Sequence, residues 1–349
     1  MSEFRNRRIR IVEFNVENLF VRLDLYSGQD LSSVTEKEWR KFSTSIYPNK
    51  PLEKLRKIAS AVRDMDPDIL MLCEVGGRES LENFNRLFLD NAYETHLIEG
   101  NSDRGIDIGY MVKRELPFTY ELISYKDRPI DFLYPHEKLS KETGYGNLRS
   151  AQVSSHRFSR DVLELRVYES PGELPVLILL LTHLKSQLDR ERIDPGGRDR
   201  RRAELEKLVE IYREIRGNFD HRVPVMVGGD FNGVAARIDM DPEFSALYEK
   251  TDLLDCLEIA GVPVDERFTF QQLHRTRPGV NRQLDYIFVP TELASRVNKE
   301  ETWVYRFKDE AGQTQLIPRN LNEKLALPSD HYPVVLTLDP VADASQENH

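Results

Sequence analysis

The segment Val225-Met226-Val227-Gly228-Gly229-Asp230-Phe231-Asn232 decides how the rest of the chain is read. An apolar run of strand length, too short for a helix, ends in two glycines and delivers an aspartate, an aromatic and an asparagine. Aspartate and asparagine are residues that ligate metals or handle protons, and the arrangement recurs along the chain. Ile11-Val12-Glu13-Phe14 runs into Asn15-Val16-Glu17-Asn18, and Ile69-Leu70-Met71-Leu72-Cys73 ends in Glu74. Leu179-Leu180-Leu181-Thr182 ends in His183. Gln283-Leu284 precedes Asp285 at the start of a strand, and Pro328-Ser329 leads into Asp330-His331 before the last one. Polar residues gathered at one rim of a sheet are the usual way a layered α/β fold builds a site. Taken singly, Asn15 reads as a turn former, Glu74 as a solvated loop residue and His183 as a hydrogen-bonded structural histidine. Random loops do not collect oxygen ligands and two histidines at strand ends in this proportion.

Outward from these runs, strands are expected at residues 9–14, 69–73, 106–112, 163–167, 176–182, 223–227, 284–289 and 334–338. Apolar residues at helical spacing mark 52–65, stopped by Pro67, and also 80–89 and 200–215. Three polar, turn-rich stretches, 24–50, 126–147 and 298–327, read as loop insertions carrying exposed aromatics such as Trp39, Tyr134 and Tyr145. The 349 residues suit two average domains or one large layered one. No repeat or low-complexity linker divides them, so a single domain over 1–349 is expected, with its core at about 9–338.

At 40% apolar residues the chain can form a sizeable core. Its 59 acidic and 49 basic residues leave a net charge of −10, which argues against tight nucleic-acid binding by bulk electrostatics. The balance permits a locally basic groove and suits carboxylates neutralised by a divalent cation. Cys73 and Cys256 are the only cysteines, which excludes a disulfide framework and a cysteine-based zinc site. No signal peptide is evident at the N-terminus, and the longest apolar run, 175–181, is far too short to span a bilayer. A cytoplasmic protein without membrane attachment or an obligate protein partner is expected.

Carboxylates with an amide oxygen are hard ligands that suit Mg²⁺ or Mn²⁺. Two histidines and an aspartate beside such an ion can move protons near neutral pH. The chemistry these residues suggest is metal-assisted hydrolysis of a phosphate ester.

Seven motifs then occur in order: FNVENLF (14–20), LCEV (72–75), RGIDIGYMV (104–112), THLKS (182–186), GGDFN (228–232), QLDYIFV (283–289) and SDHYPV (329–334). Together they resemble the endonuclease/exonuclease/phosphatase superfamily, the DNase I-like hydrolases, and look most like its bacterial nuclease branch. The resemblance implies a four-layer α/β sandwich: two mixed, mainly antiparallel sheets face to face, with helices outside. It implies that Asn15 and Glu74 hold the metal, with Glu17 and Asp330 near it or at a second metal position. By the same resemblance Asp230 orients or deprotonates water and Asn232 bonds a phosphate oxygen. His331, held by Asp285, contacts the scissile phosphate, and His183 is the second histidine. Asp107 is expected, from position, as the carboxylate partner of His183.

Arg104 and Arg149 are candidate phosphate contacts, weighed against a structural ion pair, and Lys185 is another candidate contact. The run Arg198-Asp199-Arg200-Arg201-Arg202 opens a helix, where arginines oppose the macrodipole, and is read as a solvated face, with a substrate-binding loop as the alternative. A nuclease acting on DNA or RNA is the first reading of function. A phosphatase or phosphodiesterase of small-molecule or lipid head-group phosphates is the alternative, and an inactive scaffold on the same fold the second. Phosphatase and sphingomyelinase hallmarks are missing: no tryptophan precedes the Gly-Asp motif, no Cys-Asp-Arg element follows it, and no exposed aromatic hairpin is evident.

Overall fold

The computed structural model describes residues 2–138, 155–189, 192–274, 277, 279–309 and 311–341. Strand β1 is Ile9–Leu19, β2 Ile69–Val75, β3 Tyr93–His96 and β4 Asp107–Lys113. They are followed by β5 Thr119–Ser124, β6 Val162–Tyr168, β7 Leu177–His183 and β8 Val225–Asp230. Next come β9 Leu253–Asp255, β10 Phe270–Gln272 and β11 Val280–Arg282. Then follow β12 Asp285–Pro290, β13 Trp303–Val304 and β14 Val334–Leu338. One six-stranded sheet has the order β13-β14-β1-β2-β4-β3, the other β5-β6-β7-β8-β12-β9, and β10-β11 form a separate hairpin. Each large sheet has one parallel pair at its centre, β1 with β2 and β7 with β8, and antiparallel pairs elsewhere. The expected α/β sandwich of mixed sheets is therefore present.

All seven residues of β7 and all six of β8 are buried, as near-continuous apolar runs predict for strands covered on both faces. Toward the other sheet, Leu179, Leu181, Met226 and Ile287 join the core of Phe14, Leu72 and Tyr110. Away from it, Ile178, Leu180 and Val227 pack on Leu205, Leu208, Tyr212 and Ile215 of the helix Arg198–Asn218. The outer face of the first sheet is covered by the helices Leu52–Met65 and Gly77–Phe88, through Leu55, Ile58, Val62, Leu81 and Phe84. The Tyr110 hydroxyl donates across the sandwich to the carbonyls of Leu163 (2.8 Å) and Leu179 (2.9 Å) and ties the sheets together. Gly229 allows close approach of β7: at its φ of +136°, a Cβ would lie 1.8 Å from the Thr182 carbonyl oxygen.

Several sequence expectations need correction. Trp39 is fully buried, its indole donates to the Lys50 carbonyl at 2.8 Å, and Phe42 and Phe88 pack edge-on against it. Tyr134 is also buried, against Phe132 and His156, so neither ring is an exposed aromatic. Tyr145 lies outside the described residues. The stretch 298–327 supplies β13, an edge strand paired with β14, and buries Tyr305 and Phe307 in the core. The arginine run is not wholly solvated. Arg201 is buried, donating to Glu243 Oε1 (2.5 Å) and to the carbonyls of Gly196 and Lys185. An internal anion thus answers the unfavourable charge at this helix start.

Candidate active site

Sheet register places the chemistry at one rim. Asn15 and Glu74 sit toward the C-terminal ends of the parallel strands β1 and β2, and His183 and Asp230 end β7 and β8. Antiparallel neighbours start where these strands stop. Asp285 opens β12 opposite Asp230, Asp107 opens β4 opposite Val75, and Asp330-His331 precede β14. Side-chain bearing loops therefore converge outside the carboxyl ends of the parallel strands, where α/β sheets place their ligands.

His331 Nδ1 is 2.7 Å from Asp285 Oδ2, and the Ser329 hydroxyl, accepting from the His331 amide at 3.2 Å, fixes the turn. Asp230 accepts from Asn15 Nδ2 at 3.0 Å and from its neighbour's amide, Asn232 N, at 2.8 Å. Ligand-capable atoms of Asp230, Asp285 and His331 all lie within 4.8 Å of one another. Burial opposes a charge on His331, yet Asp285, Asp230 and Asp330 outweigh it and hold the pKa well above the usual imidazole range. Burial, with Asp285 adding to it, raises Asp230 above the carboxylate range. His183 behaves oppositely. Burial and the Arg160 guanidinium push its pKa well below normal, so it is neutral. Its Nε2 faces Asp230 Oδ2 at 3.5 Å, and among the described residues its Nδ1 has no hydrogen-bond partner.

Around this centre the backbone is held in left-handed conformations at Glu17, Asn18, Glu74 and Asn232, all with φ between 48° and 66°. Such strain persists where surrounding structure over-determines it, often at functional sites. Glu74 lies at a register break between β2 and β4 and accepts from the Asn18 amide at 3.1 Å. Burial raises its pKa, with Arg104 opposing. Arg104 donates to Asn18 Oδ1 at 2.7 Å and stands 3.7 Å from Glu74 Oε1. Asn15 Oδ1 accepts from the Glu17 amide at 3.0 Å. Asn232 donates from its amide side chain to the Leu184 carbonyl at 3.0 Å.

Not every expected residue converges. Asp107 accepts from the Gly100 amide at 2.7 Å and does not partner His183, whose carboxylate neighbour is Asp230. Glu17 turns to Lys50 and Lys54, and Asp330 to Lys324. Lys185 donates to the carbonyls of Ser186 and Leu188, which closes the loop after β7. Arg149 lies outside the described residues.

Two unexpected groups face the centre. Arg160, just before β6, is buried, donates to Ser159 Oγ at 3.2 Å and leaves Nε without a hydrogen-bond partner among the described residues. Its field reaches Glu204, Glu74, Asp230 and His183. Its signal was available: β6 starts opposite the end of β7, so the residues before it reach the same rim as Asp285 and His331. Glu13 is fully buried, and among the described residues the Cys73 thiol is its one side-chain hydrogen-bonding neighbour. Burial, then Asp285 and Asp230, raises its pKa far above normal. An isolated buried carboxyl stays neutral at low cost and ionised only at high cost.

Asp230, the His331–Asp285 pair and the Arg160 guanidinium thus meet at one rim of this sandwich. A profile of the endonuclease/exonuclease/phosphatase family matches residues 14–331, and the chain belongs to that family. Solved structures share the fold. The chain is similar to truncated Caenorhabditis elegans TDP2, with 20% identity, TM-score 0.56, and 97% of this chain and 100% of that one covered. It is similar to the human Nocturnin catalytic domain with bound sulfate (16%, 0.55, 96% and 94%). It is also similar to D. rerio TDP2 complexed with single-strand DNA product (15%, 0.54, 96% and 100%). No match is found among curated proteins. Family enzymes depend on divalent metals, and the buried group Asp230, Asp285 and His331 brings ligand atoms close enough together to hold such an ion. Among the described residues no helix is long and apolar enough to cross a membrane.

Proposed function

We propose that this protein is a Mg²⁺- or Mn²⁺-dependent phosphodiesterase of the nuclease type, hydrolysing its substrate by in-line attack of water. The observation that carries the reading is the His331–Asp285 dyad, set within 4.8 Å of Asp230 where the central strands end. Asp230, raised by burial, orients the attacking water and takes its proton. His331, kept cationic by Asp285, donates to a phosphoryl or leaving oxygen as charge builds there. Arg160 supplies a second fixed positive group, and the unused amide proton of Asn232 a third donor. His183, neutral, contributes a hydrogen bond and not a charge.

Glu74 and Asn15 are the residues that would hold the metal, because committing His331 Nδ1 to Asp285 removes it from a ligand set. When bound, the ion supplies Lewis-acid stabilisation of the phosphoryl oxygens. The bound product in the D. rerio TDP2 structure favours a nucleic-acid substrate for this chain as well. A phosphodiesterase of amphiphilic head-group esters is the second reading. The net charge of −10 favours it, as do Leu321 and Leu325, exposed on a short helix beside Asp330.

The deciding experiment is a substrate panel with Mg²⁺ and Mn²⁺: plasmid DNA, single-stranded DNA, RNA, bis-p-nitrophenyl phosphate, inositol phosphates and sphingomyelin. Cleavage of polynucleotides that Asp230→Ala abolishes is expected. Cleavage confined to inositol phosphates or sphingomyelin transfers the assignment to the second reading. Turnover unaffected by Asp230→Ala removes the mechanism.

A further inference from the structure

The helix Arg198–Asn218 carries a fully buried carboxylate, Glu204, that the chemistry above does not use. Its two oxygens serve two different loops. Oε1 accepts from the Ser159 amide at 2.8 Å, and Oε2 accepts from the Lys185 amide at 2.7 Å. Ser159 immediately precedes Arg160, and Lys185 belongs to the segment that follows His183 at the end of β7. One turn earlier on the helix, Arg201 donates to the Lys185 carbonyl at 3.1 Å, so Lys185 is gripped by both its amide and its carbonyl.

The clamp reaches the Arg160 guanidinium as well as its backbone. Ser159, fixed by Glu204 through its amide, accepts from Arg160 Nη1 through its hydroxyl at 3.2 Å. Of the charges that act on Arg160, that of Glu204 is the strongest, and it favours the cation against burial. On the far side of the same loop, Asn101 donates to the Arg160 carbonyl at 2.9 Å and to the Phe158 carbonyl at 3.2 Å. The segment after His183 is pinned as firmly. Leu184 donates to the Asp230 carbonyl at 3.0 Å and accepts from the Asn232 side chain at 3.0 Å. Glu204 therefore joins two loops that are each already tied to the rim. A buried carboxylate keeps its charge only when its oxygens are hydrogen-bonded, and bonds from amides to a carboxylate are strong ones.

Resting on the phosphodiesterase reading, we propose that Glu204 is a positioning residue for phosphate recognition: by bridging the Ser159 and Lys185 amides it sets where Arg160 stands relative to His183 and Asp230. The bridge needs two acceptors on one side chain. Glutamine offers one acceptor and one donor, so one of the two amides would meet an N–H. Aspartate keeps the charge but is shorter by one methylene, and from the same helix position it cannot serve both loops.

A double-mutant cycle on the full-length protein, with the best substrate of the panel, tests this. Glu204→Gln should lower kcat/KM by about tenfold to 100-fold, the size of effect that a small misplacement of a substrate-orienting group produces. In an Arg160→Ala background the same substitution should lower it by less than about threefold, because two residues acting through one contact are not additive. Glu204→Asp should fall with Glu204→Gln. Peptide-resolved hydrogen exchange, which needs no turnover, should show the segments around Ser159 and Lys185 exchanging faster in Glu204→Gln while the buried strand β8 stays protected. Full activity of Glu204→Gln, equal losses in the two backgrounds, or unchanged exchange in both segments overturns the proposal. Full activity of Glu204→Asp overturns it too, since Glu204 would then be a counter-charge for Arg160 and not a bridge. If Glu204→Gln does not fold, Glu204→Asp takes its place in the cycle and in the exchange measurement. A wild type that hydrolyses nothing on the panel sinks the phosphodiesterase reading, a separate failure, and exchange alone then decides whether the bridge exists.

Discussion

His331 Nδ1 and Asp285 Oδ2 stand 2.7 Å apart across 46 residues of chain, because Asp285 opens β12 and His331 precedes β14 at the same rim of facing sheets. The bond fixes the tautomer and leaves Nε2 facing the site. Asp285→Asn keeps the shape and removes the charge, so kcat/KM should fall by about 10²- to 10⁴-fold. Asp285 is the chief group holding His331 above its ordinary pKa against burial. The alkaline limb of the pH–rate profile should therefore move to lower pH in the variant. The folding stability contributed by this raised pKa is present below the ordinary imidazole value and lost as pH rises through the folded one. An unchanged alkaline limb would count against the dyad.

Arg160 is buried and its Nε has no partner among the described residues, so on the proposed reading it is left to donate to a substrate phosphate. Arg160→Ala should lower kcat/KM by about 100-fold. Arg160→Lys should recover only part of it, because an ammonium lacks the planar fork. Steady-state kinetics on the best substrate of the panel provide the measurement, and full recovery with lysine would reduce Arg160 to a point charge.

Glu13 carries a fully buried carboxyl beside Asp285 and Asp230, with the Cys73 thiol as its hydrogen-bonding neighbour. Its folded pKa is raised, so the folded state favours the protonated form and loses stability as pH rises from the ordinary carboxylate range toward the folded value. Glu13→Gln removes that loss. Thermal unfolding from pH 5 to pH 8 should show the variant gaining on the wild type as pH increases, and parallel curves would refute it.

Trp39 anchors the loop between β1 and the helix Leu52–Met65 by its indole bond to Lys50 and its packing on Phe42 and Phe88. Trp39→Ala should cost about 3–5 kcal/mol in denaturant unfolding.

Much of this architecture was legible in sequence because burial on both faces writes itself as uninterrupted apolar runs. The eight expected strands are all present, and the helix expected over 52–65 matches Leu52–Met65. The short edge strands β3, β5, β9 and β13 escaped, since a half-exposed edge such as β5 alternates weakly and resembles a loop. Arg160 escaped because it lies between the insertion at 126–147 and β6, and the rim that stretch faces depends on strand order.

Residue types and their places at strand ends determined that one rim of a layered fold would carry carboxylates, amides and imidazoles for phosphate chemistry. Only the tertiary structure decided their partners. Asp285 pairs with His331, Asp230 and not Asp107 faces His183, and Glu17 and Asp330 are answered by lysines. Periodicity specifies which face a side chain takes within its own strand. A hydrogen bond or an ion pair depends on which strands lie side by side and in what register, and that is settled when the two sheets close over their common core.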